Sequence, residues 1–269
     1  MTALEDWIGR SETRTAVIDA ESLRRYAAAV DAPLEVERHP PPLGQWAFFN
    51  EVVAPDRIGE DGHPRRGGFL PPVELPRRMF AQSALRFQAP MAIGEVAELH
   101  MQIADVRRRT GRSGELVLVE VDRTLVQDGA PRITERQTIA YRQSGEPTPP
   151  VSPADDIARA DDEVWSPTSA DLFRFSAATF NSHRIHYDKP YAMDVEGYPG
   201  LLVHGPFTAA KLCALATGIA GKPLKSFNFR AQSPLFEGQE IRLRPGDEPS
   251  TVAAIRCDGA VAMTATFEA

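Results

Sequence analysis

The segment from Phe175 to Asp188 concentrates side chains that can move a proton. It contains Asn181, His183 and His186, and Asp188 lies two residues after His186. An imidazole near its ordinary pKa of about 6.5 can give or take a proton at neutral pH, and a neighbouring amide or carboxylate can fix its tautomer. The spacing therefore predicts acid–base chemistry on a bound water. The alternative is that these are polar groups at the end of a helix.

A second group lies where an apolar run, Tyr198 to Val203, gives way to His204, Gly205 and Pro206. Proline suits the first turn of a helix, so a helix is predicted to begin there. Free N–H groups in a first helical turn attract a carbonyl oxygen that becomes negative during a reaction. The Gly205 amide is the predicted donor. An ordinary glycine at a helix start is the alternative.

Two matched halves of the chain must position these groups. Matched features recur in the same order: an aromatic residue followed by small residues, then an Arg-x-Gln-x-Pro stretch, then a hairpin with an Asp-Gly turn. The matched pairs are Leu23–Ala29 with Leu172–Ala178, Arg86–Pro90 with Arg230–Pro234, and Asp128-Gly129 with Asp258-Gly259. Since only the second copy carries the histidine cluster, we expect chemistry in one half.

Each half is also predicted to contain a second helix, from Pro72 to Leu85 and from Pro206 to Thr217. Helices followed by antiparallel strands predict an α+β fold in both halves. The predicted units are residues 1–143 and 157–269, joined by a proline-rich linker at 144–156. The Pro- and Gly-rich segment from Asp31 to Pro71 is expected to wrap around the structure or to form a lid.

Composition excludes several classes of protein. The formal net charge of -7 argues against a nucleic-acid partner, because phosphates favour a basic surface. Cys213 and Cys257 are the two cysteines, too few for a disulfide framework. No stretch is apolar enough for a membrane span, and the first residues do not resemble a signal peptide. A cytoplasmic protein without a membrane partner is expected.

The segment Phe175 to Asp188, followed by Val203-His204-Gly205, resembles the MaoC-like hydratases and dehydratases of the hotdog superfamily. The pattern Thr179-x-Asn181-x-His183-x-x-His186 is similar to the hydroxyacyl-thioester dehydratase type 2 branch and to bacterial mesaconyl-C4-CoA and itaconyl-CoA hydratases. Gly62 to Pro72 resembles that bacterial group as well. One departure is clear: Asn181 stands where the usual motif has aspartate, and an amide cannot act as a base.

This resemblance implies a double hotdog, in which two helix-plus-curved-antiparallel-sheet halves are fused in one chain. It implies reversible hydration of a 2-enoyl-CoA thioester, with a short methyl-branched dicarboxylic substrate preferred. His186 would be the main acid–base group, His183 its partner, Asn181 an orienting group and Gly205 the enolate donor. The expected substrate contacts are Thr179, His204, Arg230, Arg65, Arg66 and Arg78. No metal or redox cofactor is implied, coenzyme A is part of the substrate, and a homodimer is compatible.

Four alternatives remain at this stage. The protein could be a hotdog acyl-CoA thioesterase, or a (3R)-hydroxyacyl-thioester dehydratase for monocarboxylic fatty acyl chains. It could be a metal protein that uses His183, His186, His204 or Asp188, since imidazole and carboxylate ligands suit zinc. It could also be a module that binds acyl-CoA without turnover.

Overall fold

The computed structural model describes residues 3–111 and 114–269, and its main feature is one antiparallel sheet of ten strands. The first five strands are β1 (Ser11–Val17), β2 (Arg77–Phe87), β3 (Val96–Gly111), β4 (Gly114–Gln127) and β5 (Ala130–Arg142). The last five are β6 (Glu163–Trp165), β7 (Ser226–Ala231), β8 (Ile241–Pro245), β9 (Thr251–Ile255) and β10 (Val261–Glu268). Their order across the sheet is β1-β3-β4-β5-β2-β7-β10-β9-β8-β6.

The two halves have the same strand order when each is followed outward from the centre of the sheet: β2-β5-β4-β3-β1 in the first half and β7-β10-β9-β8-β6 in the second. The halves meet where β2 pairs with β7 in antiparallel register, and buried Leu85 lies opposite buried Phe227 at this junction. The edges of two five-stranded sheets are thereby joined into one, as the sequence similarity suggests. Residues 143–162 run between the halves without regular structure.

Both predicted hairpins form. The β4–β5 turn contains Asp128 and Gly129, each with a positive φ, and the β9–β10 turn contains Gly259 with φ +84°. Asp-Gly suits such turns because aspartate tolerates the left-handed region and glycine enters it without a steric penalty.

The described residues form three α-helices, α1 (Ala20–Val30), α2 (Ser169–Ala178) and α3 (Gly205–Ala220), and α1 packs against both α2 and α3. The Asp19 side chain caps α1, and a Thr168–Asp171 capping box begins α2. α3 confirms the helix predicted from Pro206, and it packs against strands β7 to β10 and β2. Shorter helical turns span Leu4–Trp7, Gly44–Ala47, Pro55–Arg57, Arg184–His186 and Tyr191–Val195. Among the described residues no helix has both the length and the apolarity to cross a bilayer.

The helix predicted from Pro72 to Leu85 is wrong. Residues 71–76 are irregular, and the chain then enters β2. A short apolar run cannot be assigned to helix or strand by its pattern alone. Here β2 has neighbours on both sides, β5 and β7, so backbone pairing outweighs local helical preference.

The first half therefore has no counterpart of α3 among its described residues. The segment between α1 and β2 takes that place, and it contains only the two short turns at Gly44–Ala47 and Pro55–Arg57. Trp46, Phe48 and Phe69 from this segment are buried in the core. The segment is thus a wrap that fills the space beside the sheet, and part of it reaches the site described next.

Candidate active site

A cavity of about 670 Å³ lies between the two halves. This volume is in the range of pockets that hold small-molecule ligands. The first half contributes side chains of β2 and β5 and of the segment between α1 and β2. The second half contributes the end of α2, the turn after it and the start of α3.

The turn after α2 is shaped by local hydrogen bonds. Thr179 ends the helix and its hydroxyl donates to the Phe175 carbonyl at 2.7 Å. Phe180 then adopts a left-handed φ of 49°, which reverses the chain direction. The Asn181 side-chain oxygen accepts from the His183 amide at 3.0 Å. Asn181 thus fixes the backbone that presents the histidines, and it also lines the cavity.

Four imidazole rings stand in a row beside the cavity. The ring centroids of His63 and His183 are 4.2 Å apart, those of His183 and His186 are 5.5 Å apart, and those of His186 and His204 are 3.6 Å apart. The first three rings line the cavity. His204, which was predicted to contact substrate, lies behind His186, is fully buried, and contacts the Ser176 hydroxyl through Nε2 at 2.8 Å.

The tautomer of His186 follows from its partner. Nδ1 lies 2.9 Å from the Leu202 carbonyl oxygen, which can only accept, so Nδ1 carries the proton and Nε2 keeps a lone pair. Burial lowers the pKa of His186 to about 4, although the hydrogen bond to Leu202 opposes this shift. His186 is therefore neutral at physiological pH and can accept a proton.

The pKa of His183 is held even further below its ordinary value. Burial is the main cause, and the neighbouring rings of His63 and His186 add to it. A row of close imidazoles in a buried site cannot hold several positive charges. At most one of these rings is expected to be a positively charged imidazolium at a time.

Asp61 and His63 reach this row from the first half, and sequence reasoning did not select either as a site residue. Nδ1 of His63 contacts the Asp61 carboxylate at 3.2 Å, and the His63 amide donates to the same carboxylate at 3.0 Å. Burial and the Arg78 charge lower the pKa of His63, whereas Asp61 opposes them. The pKa of Asp61 lies well below its usual range, since the hydrogen bonds and charge of His63 outweigh burial.

Gly62 allows this pair to reach the turn of the second half. Its φ is +89°, and a Cβ there would overlap the Ser182 carbonyl oxygen. The Ser182 hydroxyl donates to the Gly62 carbonyl, and the Arg184 amide donates to the Asp61 carbonyl at 2.9 Å. Arg184 also donates through its guanidinium to the Glu60 carbonyl at 3.0 Å. We call residues 59–63 the docking loop.

The start of α3 lies in the same cavity wall. Gly205 is its first residue and lines the cavity together with Pro206. No side chain caps this helix start. The Gly205 amide is thus free of a side-chain acceptor at the positive end of the helix dipole, where a negative oxygen is stabilised.

The arginines fall into two groups. Arg77, Arg78, Arg123, Arg142 and Arg256 line the cavity. Arg77 is paired with Glu196, Arg123 with Glu135 and Arg256 with Asp258. In the described part of the chain, Arg78 and Arg142 form no ion pair.

The other predicted arginines do not line the cavity. Arg66 donates to the carbonyl oxygens of Val73, Leu75 and Pro76, so it holds the stretch that leads into β2. Arg65 is exposed and contacts the Ile58 carbonyl at 3.4 Å. Arg230 is exposed on β7.

Asp61, His63 and His183 each bring a potential ligand atom within 4.8 Å of the others, the one such grouping found in residues 3–111 and 114–269. The metal alternative considered from the sequence used His183, His186, His204 or Asp188, and only His183 of these belongs to the observed set. The Asp61 carboxylate already accepts two hydrogen bonds from His63. This pairing of a carboxylate with an imidazole suits proton transfer.

Comparison with known proteins gives consistent similarities. The family model for hydroxyacyl-thioester dehydratase type 2 matches residues 43–237. The mesaconyl-C(4)-CoA hydratase of Chloroflexus aurantiacus is 41% identical over 97% of this chain and 96% of its own length.

Two solved structures share the fold at low sequence identity. A MaoC-like dehydratase from Phytophthora capsici has a TM-score of 0.64 at 15% identity, and 98% of each chain is covered. A Mycobacterium tuberculosis protein with a double hotdog fold has a TM-score of 0.59 at 12% identity, covering 97% of this chain and 95% of that one. The ten-stranded sheet is therefore a double hotdog, as the sequence resemblance implied.

Proposed function

The chain belongs to the hydroxyacyl-thioester dehydratase type 2 family, and from this membership and the cavity we propose reversible addition of water to a 2-enoyl-CoA thioester, giving a 3-hydroxyacyl-CoA. One observation carries the proposed mechanism. A neutral imidazole with a free Nε2, that of His186, and an uncapped helix start at Gly205 line the same cavity.

In the hydration direction, His186 Nε2 takes a proton from water as the oxygen bonds to Cβ. The electron pair of the double bond moves through Cα to the thioester oxygen, which gives an enolate. Protonation of this enolate at Cα then restores the thioester carbonyl and completes the 3-hydroxyacyl-CoA. The Gly205 amide donates to that oxygen, and a donor of this kind is worth roughly 2.7–4 kcal/mol elsewhere. The thioester itself acidifies Cα, so this mechanism requires neither a metal nor a redox cofactor.

Asn181 and His183 have supporting roles in this proposal. The oxygen of the Asn181 amide is engaged by the His183 backbone, which leaves its nitrogen to orient the water. The ring of His183 lies between those of His63 and His186 and is itself neutral, because burial and these two neighbours lower its pKa. Residues 157–269 would thus supply the motif, residues 1–143 would form much of the acyl pocket, and residues 144–156 would link them.

The substrate class follows from the charge of the pocket wall. In mesaconyl-C4-CoA the Cβ atom carries a methyl group and a carboxylate, so the carboxylate lies next to the point of water addition. Arg78 lines the cavity, is unpaired in the described structure, and its charge acts on His63 and His183. A guanidinium there suits a carboxylate partner. We therefore propose a short methyl-branched dicarboxylic acyl group, as in mesaconyl-C4-CoA or itaconyl-CoA.

The test is turnover of mesaconyl-C4-CoA and crotonyl-CoA, which both have a conjugated double bond but differ in the carboxylate. Loss of the conjugated absorbance without thiol release is the expected result. Thiol release would indicate a thioesterase instead, and a rate that favours long monocarboxylic enoyl-CoA esters would favour the fatty acyl alternative. Acyl-CoA binding without turnover would contradict the enzyme proposal.

The variant Arg78→Gln tests the substrate class. Loss of a charged hydrogen bond costs about 1.5–3 kcal/mol, which corresponds to a roughly tenfold to hundredfold lower kcat/KM for mesaconyl-C4-CoA. Crotonyl-CoA turnover should change much less. Arg38→Gln, which removes an exposed arginine, is the control. Equal losses with both substrates would contradict a carboxylate site at Arg78.

A further inference from the structure

We propose that His63, held by Asp61, is a second catalytic residue, which exchanges the proton at Cα while His186 serves the water at Cβ. This inference rests on the proposed hydration and deepens it. Two groups from the irregular segment of the first half would then complete a site whose motif lies in the second half.

The first support is position. His63 lines the cavity, and its ring centroid lies 4.2 Å from that of His183. Its side chain is 19% exposed, so the ring borders the space that a substrate would occupy. Asp61 does not line the cavity, and its carboxylate contacts His63 through both the ring and the backbone. His63 is therefore placed to touch substrate, and Asp61 is placed to position His63.

The second support is the identity of the partners in the row. The carbonyl of Leu202 contacts His186, and the hydroxyl of Ser176 contacts His204. Within the described residues, His63 is the one ring of the four that a carboxylate contacts directly. A carboxylate stabilises an imidazolium far better than a neutral oxygen does. His63 is thus the ring best suited to hold the proton that the addition requires.

The third support is the missing carboxylate of the motif. Asn181 occupies the position at which related motifs have aspartate, and its amide cannot exchange a proton. Asp61 brings a carboxylate to the same site from 120 positions earlier in the chain. The docking loop holds it there through the Ser182 and Arg184 contacts.

The surroundings of His63 set its charge balance. The titratable and charged groups around it are Asp61 and Arg66 in its own segment, Arg78 on β2, and His183 and His186 on the turn. The arginines disfavour a proton on His63, and Asp61 favours it. Removing the Asp61 charge would leave only unfavourable neighbours.

His63 and His186 together account for every proton that moves in the addition. In the reactive state His63 is an imidazolium paired with Asp61 and His186 is neutral; this state is a minor fraction at neutral pH, because burial and the arginines lower the pKa of His63. His186 takes one proton from water, the hydroxyl oxygen bonds to Cβ, and the enolate forms. The enolate then takes the Nε2 proton of His63 at Cα and restores the thioester carbonyl. Afterwards His186 releases its proton to solvent and His63 takes one up, which returns the site to its first state.

Asp61→Asn is the first experiment, since the amide keeps the size of the side chain and removes its charge. An opposite charge near a titratable group commonly shifts its pKa by about one unit or more, so turnover of mesaconyl-C4-CoA at neutral pH should fall at least about tenfold. His63 acts as an acid, so the wild-type rate falls as pH rises through its pKa. In the variant this alkaline limb should move to lower pH by about one unit. Asp56→Asn, an exposed carboxylate in the same segment, should leave the profile unchanged.

His63→Ala with added imidazole is the second experiment. Loss of a positioned acid should lower turnover at least about a hundredfold, and free imidazole should restore part of the rate by entering the vacated space. A merely structural role of His63 would not show this rescue. Circular dichroism checks that both variants keep the fold.

The outcomes separate this inference from the proposed function. If the wild type does not hydrate any enoyl-CoA, the proposed function fails. If the wild type is active while Asp61→Asn keeps both its rate and its pH profile, only the role of His63 and Asp61 fails. Activity that a chelator removes and zinc restores would assign Asp61, His63 and His183 to a metal ion, and would also overturn the inference.

Discussion

At the scale of single residues, His186 combines burial with a fixed tautomer. Its Nδ1–H is committed to the Leu202 carbonyl, so its only free ring nitrogen is Nε2. His186→Ala should lower turnover at least about a hundredfold, because it removes a positioned acid–base group. The measurement is kcat with the preferred enoyl-CoA, with His39→Ala, an exposed histidine, as control. A native rate in His186→Ala would contradict its assignment.

The buried histidines also predict a pH dependence of stability. His186 has a pKa of about 4 in the folded protein and an ordinary value of 6.5, so between these values the unfolded chain binds more protons. Stability should then fall as pH is lowered from 6.5 towards 4, by about 1.4 kcal/mol per pH unit for this residue alone. Urea unfolding at several pH values measures the slope, and the slope should decrease in His186→Ala. A pH-independent stability over this range would contradict the neutral, buried state of the ring.

The sequence predicts the local part of the site better than the distant part. His183, His186 and Asn181 lie close together in the chain, so their spacing alone identifies them. His63 and Asp61 come close to these residues only when the chain folds, although the stretch from Gly62 to Pro72 resembles that of bacterial hydratases. Arg78 was selected together with Arg65, Arg66 and Arg230, and only the fold shows that Arg78 faces the cavity.

At the scale of elements, the docking loop depends on one glycine. Gly62→Ala combines a left-handed φ with an overlap against the Ser182 carbonyl, so Asp61 and His63 should leave the row. Turnover should fall by an amount comparable to that in His63→Ala, and the strained φ should cost about 1–3 kcal/mol of stability.

Gly94→Ala is a matched control for this variant. Gly94 has almost the same φ, +88°, but no atom lies within 4 Å of an added Cβ. It should lose stability through backbone strain while turnover is retained. Thermal unfolding and kcat measured on both variants separate strain from displacement of the docking loop, and normal turnover in Gly62→Ala would contradict its role.

Helices and hairpins were predictable where local signals were strong. Pro206 and the Asp-Gly turns identify α3 and both hairpins. The helix predicted from Pro72 to Leu85 is wrong because the apolar residues of this stretch fit a helix and a strand equally well. The similarity of the halves favoured a second helix. Only pairing with β5 and β7, which is not visible locally, decides for a strand.

At the scale of the whole molecule, the β2–β7 junction makes one sheet of two halves. Leu85→Ala should lower the free energy of unfolding by about 2–5 kcal/mol, since it removes buried volume at this junction. Val96→Ala, at an exposed position, is the control for Leu85→Ala.

Trp46 lies in the first half and Trp165 in the second, so the fluorescence of single-tryptophan variants should report one shared unfolding transition. Two separate transitions would contradict cooperative unfolding across the junction. The expected homodimer stays a prediction.

The absence of a long helix from the described first half has a consequence for adaptation. Trp46 and Phe48 of the wrap line the cavity together with the start of α3, so the lining comes from distant parts of the chain. Exchanges at Trp46 or Phe48 can reshape the acyl compartment while the imidazoles of the second half keep their geometry. Substitutions in the first half can therefore change substrate selectivity without changing the histidines of the second half. In a dimer of identical subunits, each substitution would appear in both halves.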